Sequence, residues 1–120
     1  MSEETPNNMK QTMHDFKRGM EMMHKAVPET MQAFTDFMSS VLHEGALDLR
    51  TKELISLGMA ITARCRYCIG LHVNNALKAG VTKPEIIEVC KVAMLMGGGP
   101  AMTYIAEVRK ALEHFDKSSS

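Results

Sequence analysis

The sequence predicts an all-α bundle of about five or six helices arranged around a central helical hairpin. Three observations lead there. Apolar residues recur every three or four positions through most of the chain. No stretch alternates apolar and polar residues in the manner of a strand. All four prolines stand before or at the start of a helical pattern. With 45% apolar residues, 12 Met, no Trp and 5% aromatics, the core should be aliphatic and rich in Met. The 120 residues suit one domain. The expected organisation is a disordered segment over 1–8, a helical domain over 9–116 and a tail over 117–120.

The first helix is expected from Met9 to Val27. Its stripe is Met9, Met13, Phe16, Met20, Met23 and Val27, a heptad-like seam for its own core or for a neighbouring subunit. Pro28 opens a second helix, with Glu29 in its first turn and Met31, Phe34, Met38, Val41 and Leu42 as a buried stripe. His43 suits its C-terminal end, and Gly45 stops it. The third helix follows Asp48, a cap candidate, with Leu54, Leu57, Gly58 and Ile61 as its stripe. The fourth runs from about Cys65 to Ala79 on Ile69, Val73, Ala76 and Leu77, and stops at Gly80. Thr82 and Glu85 form a capping box, with Pro84 in the first turn, for a helix striped by Ile86, Val89, Cys90, Ala93 and Met94. Cys90 reads as an inert core thiol. Gly97, Gly98, Gly99 and Pro100 should break the chain. The last helix uses Tyr104 or Ile105, Val108, Leu112 and Phe115.

The chemistry concentrates between Thr51 and Gly80. A short break near Thr62–Arg64 would fold the third and fourth helices antiparallel and bring Glu53 and His72 level on facing rods. In a continuous helix Glu53 would lie about 18 Å from Cys65 along the axis, too far for any relay. Cys65 and Cys68 are one turn apart on one face, with Cα atoms expected about 5–6 Å apart, within disulfide range. His72, four residues past Cys68, lies on that same face. Both cysteines fall in a first helical turn, where free N–H groups and the helix dipole favour a thiolate, and Arg64 and Arg66 add positive charge. The residues alone leave the attacking sulfur open. The helix N-terminus favours Cys65; the histidine spacing favours Cys68.

Glu, eleven residues, Cys-x-x-Cys, three residues, His is a pattern that resembles the AhpD-like alkylhydroperoxidases of the carboxymuconolactone decarboxylase superfamily. KELISLGMAIT, LKAG and MGGGPA also look like that family, so that the resemblance runs from about Leu47 to Ala106. It implies a catalytic set of Glu53, Cys65, Cys68 and His72. In that reading Cys68 attacks a peroxide or disulfide, His72 takes its proton, Glu53 orients and steadies the imidazole, and Cys65 closes the disulfide. Some relatives carry a second histidine directly before the second cysteine; this chain has Tyr67 there. The resemblance places the glycine turn near the cysteines, so Tyr67, Gly98 and Gly99 are expected to shape substrate access. It also implies trimers or hexamers.

The expected activity is therefore reduction of hydroperoxides or disulfides, with no cofactor and with electrons from a thiol donor: a thioredoxin-like protein, a lipoyl group or a ferredoxin-linked reductase. Two alternatives stand beside it. One is a zinc module holding its ion on Cys65, Cys68 and His72, with Cys90 or Glu53 completing the set. The other is the lyase reaction that names the superfamily, which needs no dithiol. A formal net charge of zero gives no electrostatic case for nucleic acid or an anionic membrane. The polar N-terminus lacks a signal-peptide core, and no apolar run is expected to approach the roughly 20 residues of a membrane span. Three cysteines without a leader point to the cytoplasm.

Overall fold

The structure, a computed structural model, describes residues 7–117. Within them the chain forms five helices: α1 (Met9–Ala26), α2 (Pro28–Leu42), α3 (Leu49–Thr62), α4 (Arg66–Lys78) and α5 (Lys83–Phe115). No strand occurs among the described residues. The core lies where α3, α4 and α5 meet. Leu57 and Ile61 of α3, Ile69 and Val73 of α4, and Ile86 and Val108 of α5 are fully buried there, at the positions their helical spacing assigns. Cys90 sits in the same apolar cluster, and burial pushes its thiol pKa up, so it stays protonated and inert.

The helix ends follow their local chemistry. Asp48 caps α3 by accepting from the Thr51 amide at 2.8 Å, a bond that holds its carboxyl below the usual range. Thr82 and Glu85 make the reciprocal capping box at the start of α5. Glu85 also takes a hydrogen bond from Arg50 of α3, and mainly for that reason its pKa falls to about 2. This bond ties the first turn of α3 to the first turn of α5.

The structure bears on four expectations, three of which need correction. First, α2 buries no residue at all. Phe34 is 54% exposed, and Met38 and Val41 are exposed with it. The reason is placement: α2 packs chiefly on α1, outside the three-helix core. Its end is held by Lys52 of α3, whose ammonium donates to the carbonyls of Val41 and His43 at 2.7 and 2.6 Å. Second, the break expected at Gly97–Pro100 is present as a kink at which two helical runs meet. Gly98 takes φ 64°, ψ −150°, and helical pairing resumes around Pro100. Third, the resulting 33-residue α5 is long and apolar enough by length and composition to cross a membrane. The sequence reading missed this because it cut the run at the glycines. In the fold, α5 carries the core residues that α3 and α4 pack against. Fourth, the segment expected to be disordered, 1–8, is placed at its last two residues. The Asn7 amide donates to the Lys110 carbonyl of α5 at 2.9 Å, and its oxygen accepts from the Met9 amide. Residues 1–6 and 118–120 lie outside the described residues.

Only the first turns of α1 reach the core. Met9 is fully buried, Met13 packs beside it, and a Cβ at Gly70 of α4 would fall 2.7 Å from the Met9 sulfur. The rest of the predicted seam, from Phe16 to Val27, is half-buried.

The kink allows a stability test. The backbone at Gly98 is a conformation that side chains resist, whereas Gly99 has neither a positive φ nor a close neighbour. Gly98→Ala is expected to cost about 1–3 kcal/mol in urea denaturation, and Gly99→Ala less than about 0.5 kcal/mol.

Candidate active site

The hairpin forms as its spacing requires. α3 ends at Thr62, and after three intervening residues α4 begins at Arg66. The turn is a Schellman closure: the Arg64 amide donates to the Ile61 carbonyl at 3.0 Å and the Cys65 amide to the Ala60 carbonyl at 3.1 Å. Arg64 occupies the left-handed position of this motif at φ 57°. The end of α4 repeats the pattern, with Gly80 at φ 91° in that position. One turn therefore uses glycine, and the turn beside the cysteines holds an arginine against its backbone preference.

Cys65 is the N-cap of α4, and its sulfur accepts from the Cys68 amide at 3.2 Å. The two cysteines are joined in a disulfide with Cα atoms 5.2 Å apart. An N-cap thiolate at Cys65 would keep that N–H donor and the field of the helix end. His72 stands on the same helix, one turn beyond Cys68.

Glu53 is the one buried acid among the described residues, with 2% of its surface exposed, on the face of α3 that meets α4. Its Oε1 lies 2.8 Å from His72 Nδ1. A carboxylate accepts only, so the shared proton belongs to Nδ1, and Nε2 is left as the basic face of the ring. The imidazole is about a quarter exposed. Glu53 and His72 thus form a carboxylate–imidazole pair rooted in the core and open at one end. Among the described residues, no three His, Cys, Asp or Glu side chains group closely enough to hold a metal ion. The cysteines are bonded to each other and Glu53 to His72.

A cleft of about 580 Å³ opens beside Cys65, lined also by Arg64, Arg66, Tyr67, Thr103, Tyr104 and Glu107. Arg66 stacks over the Tyr67 ring, 5.2 Å from its centroid. Tyr67 therefore sits where the sequence places it, beside the cysteine pair. Gly98 and Gly99 do not line this cleft. The glycine turn instead meets the hairpin through Gly97, whose added Cβ would fall 3.3 Å from Thr62.

Sequence reasoning missed the α5 wall of the cleft. Glu107 carries the one buried side-chain oxygen without a hydrogen-bond partner among the described residues, Oε1. Its other oxygen lies 3.5 Å from Lys110. The signal was there: Thr103, Tyr104 and Glu107 are polar or amphipathic positions interleaved with an apolar stripe, one to two turns after the kink that directs α5 past the hairpin.

Comparison with known proteins agrees with this geometry. The sequence profile of the carboxymuconolactone decarboxylase family matches residues 28–111. An uncharacterised protein of Cupriavidus necator is 31% identical over 91% of this chain and 94% of its own length. An alkyl hydroperoxide reductase AhpD of Mycobacteroides abscessus is 27% identical over 49% of this chain, a match that spans 34% of that protein. The crystal structure of a carboxymuconolactone decarboxylase family protein from Legionella pneumophila superposes with a TM-score of 0.88 at 34% identity, covering 93% of this chain and all of that one. A Thermotoga maritima protein of the same family shares the fold, with a TM-score of 0.77 at 24% identity. By profile, relatives and fold alike, the chain belongs to the carboxymuconolactone decarboxylase family.

Proposed function

We propose that the protein is a thiol oxidoreductase that cycles Cys65 and Cys68 between dithiol and disulfide to reduce hydroperoxides or disulfides. The observation that carries this reading is the 2.8 Å bond between buried Glu53 and His72, held on the same helical hairpin as a vicinal cysteine pair. The likeness to AhpD proteins over 59 residues supports it. The lyase reaction in the family's name would leave the cysteine pair without a task.

In the reduced protein, His72 Nε2 accepts the Cys68 proton, directly or through water, and Glu53 steadies the imidazolium. The Cys68 thiolate attacks the terminal oxygen of a hydroperoxide, forming a sulfenic acid as the oxygen–oxygen bond breaks, or attacks one sulfur of a disulfide, forming a mixed disulfide, and an alcohol or a thiol departs with a proton. Cys65 then attacks the oxidised Cys68, and water or the second thiol leaves as the protein disulfide forms. Two electrons pass from the cysteine pair to the substrate. A thiol donor returns them, whether thioredoxin-like, lipoyl, linked to a ferredoxin reductase or a small thiol. Such cycling belongs in a reducing compartment, which supports the cytoplasm as the site of action.

The reading extends to assembly into trimers or hexamers. Two apolar surfaces support it. One is α2, where Phe37 is 62% exposed beside Phe34. The other is a groove between α3 and α5 that includes Ile55, Met59 and Val92, continuous with Met96 at 74% exposed and next to Leu95 at 81%.

Two measurements test these statements. Titration of free thiols before and after one equivalent of hydroperoxide should lose two thiols per chain; Cys68→Ser should abolish turnover, and Cys65→Ser should leave a sulfenate or mixed disulfide on Cys68, read by mass spectrometry. Three titratable thiols remaining after oxidant would remove the proposal. Light scattering on the eluting protein should give three or six times the 13.3 kDa chain mass; a monomer at micromolar concentration would contradict the assembly.

A further inference from the structure

The cleft beside the disulfide has a chemical preference of its own. Arg64 and Arg66 flank Cys65 on either side and both line the cleft. Neither guanidinium pairs with a carboxylate among the described residues. Arg66 is held over the Tyr67 ring, with its Nη2 3.4 Å from the phenol oxygen. Arg64 sits at φ 57°, in a turn position that glycine fills without strain at the other end of α4. The acid in the cleft wall, Glu107, is balanced by Lys110 on its own helix. The cleft beside the sulfur therefore carries two uncompensated positive charges in a concavity of about 580 Å³, the size of a small-molecule site.

We infer that the thiol that reduces the Cys65–Cys68 disulfide is a small carboxylate-bearing thiol, admitted to Cys65 through this cleft and held by Arg64 and Arg66. The inference rests on the dithiol reading above and names its electron donor by class. Guanidinium groups bind carboxylates by paired, charge-assisted hydrogen bonds, and a positive cleft raises the local concentration of an anion.

The chemistry follows from which sulfur faces the cleft. The donor thiolate attacks Cys65 Sγ and a sulfur–sulfur bond forms there as the Cys65–Cys68 bond breaks. Cys68 leaves as a thiolate and takes a proton from the imidazolium of His72 or from water. A second donor thiolate attacks the donor sulfur of the mixed disulfide. The donor leaves as its own disulfide, and Cys65 departs as a thiolate that takes the second proton. Two thiols are oxidised to one disulfide, and the protein disulfide gains two electrons and two protons.

The test follows reduction of the oxidised full-length protein by mercaptosuccinate, with two carboxylates, and by uncharged 2-mercaptoethanol. Rates are normalised to thiolate concentration and read by alkylation and mass spectrometry. In low salt, mercaptosuccinate should be faster by about tenfold or more. The ratio should fall toward one in molar salt and in Arg64→Gly and Arg66→Ala. Arg64→Gly relieves the turn and so keeps the fold, and a ratio cancels any change in the reactivity of the disulfide itself. Equal rates for the two thiols in the wild-type protein, or an advantage that survives both substitutions, would overturn the inference and leave the dithiol reading standing. Failure of both thiols to reduce the disulfide would overturn both.

Discussion

A carboxylate in an aliphatic core is costly unless a donor meets it. Glu53 is that carboxylate, and His72 is its donor. Much of the architecture can be understood as what keeps those two groups together. α3 and α4 must run antiparallel and level, so the turn between them must be short. The turn must also leave the first residues of α4 open at the surface, since the cysteines are there. The Schellman closure at Ala63–Cys65 meets both demands, at the cost of a left-handed arginine. α5 then covers the hairpin with Ile86, Ala93 and Val108, and its kink at Gly98 turns Thr103, Tyr104 and Glu107 toward the exposed end.

The hairpin was legible because it combines two periodicities that constrain each other. Ile69, Val73 and Ala76 fix which face of α4 is buried, and Cys65, Cys68 and His72 then have to share an adjoining face. The placement of Glu53 against His72 follows once the break is put near residue 63. The capping box at Thr82 and the cap at Asp48 were readable for a simpler reason: they are made by residues three apart. What failed was everything that depends on which neighbour is present. The α2 stripe has the spacing of a buried face, yet among the described residues none of it is buried and Phe34, Met38 and Val41 stay exposed. Hydrophobic spacing reports that a face is meant to be covered, without saying by what. The break at Gly97–Pro100 was legible from its glycines: Gly98 takes the non-helical backbone at which the two helical runs meet, and what the pattern left out is how soon helical pairing resumes.

The cleft was the least legible part. Its two walls are about forty residues apart in sequence, and its α5 wall shows in the pattern only as polar interruptions of an apolar stripe. The arginines were read for their effect on the thiols alone. The structure adds that both border a concave space whose acid, Glu107, is already matched by Lys110, which moves their significance from the reactivity of the cysteines to the nature of what meets them.

The central claim is that Glu53 acts through His72, and a double-mutant cycle measures that most directly. Oxidation of the reduced protein by a hydroperoxide would be timed for Glu53→Gln, His72→Ala and the double variant, each checked for its fold by circular dichroism. The account predicts that His72→Ala slows the reaction by roughly 10²-fold and that adding Glu53→Gln slows it no further. Losses that multiply would mean that the two side chains act separately, and would contradict the relay.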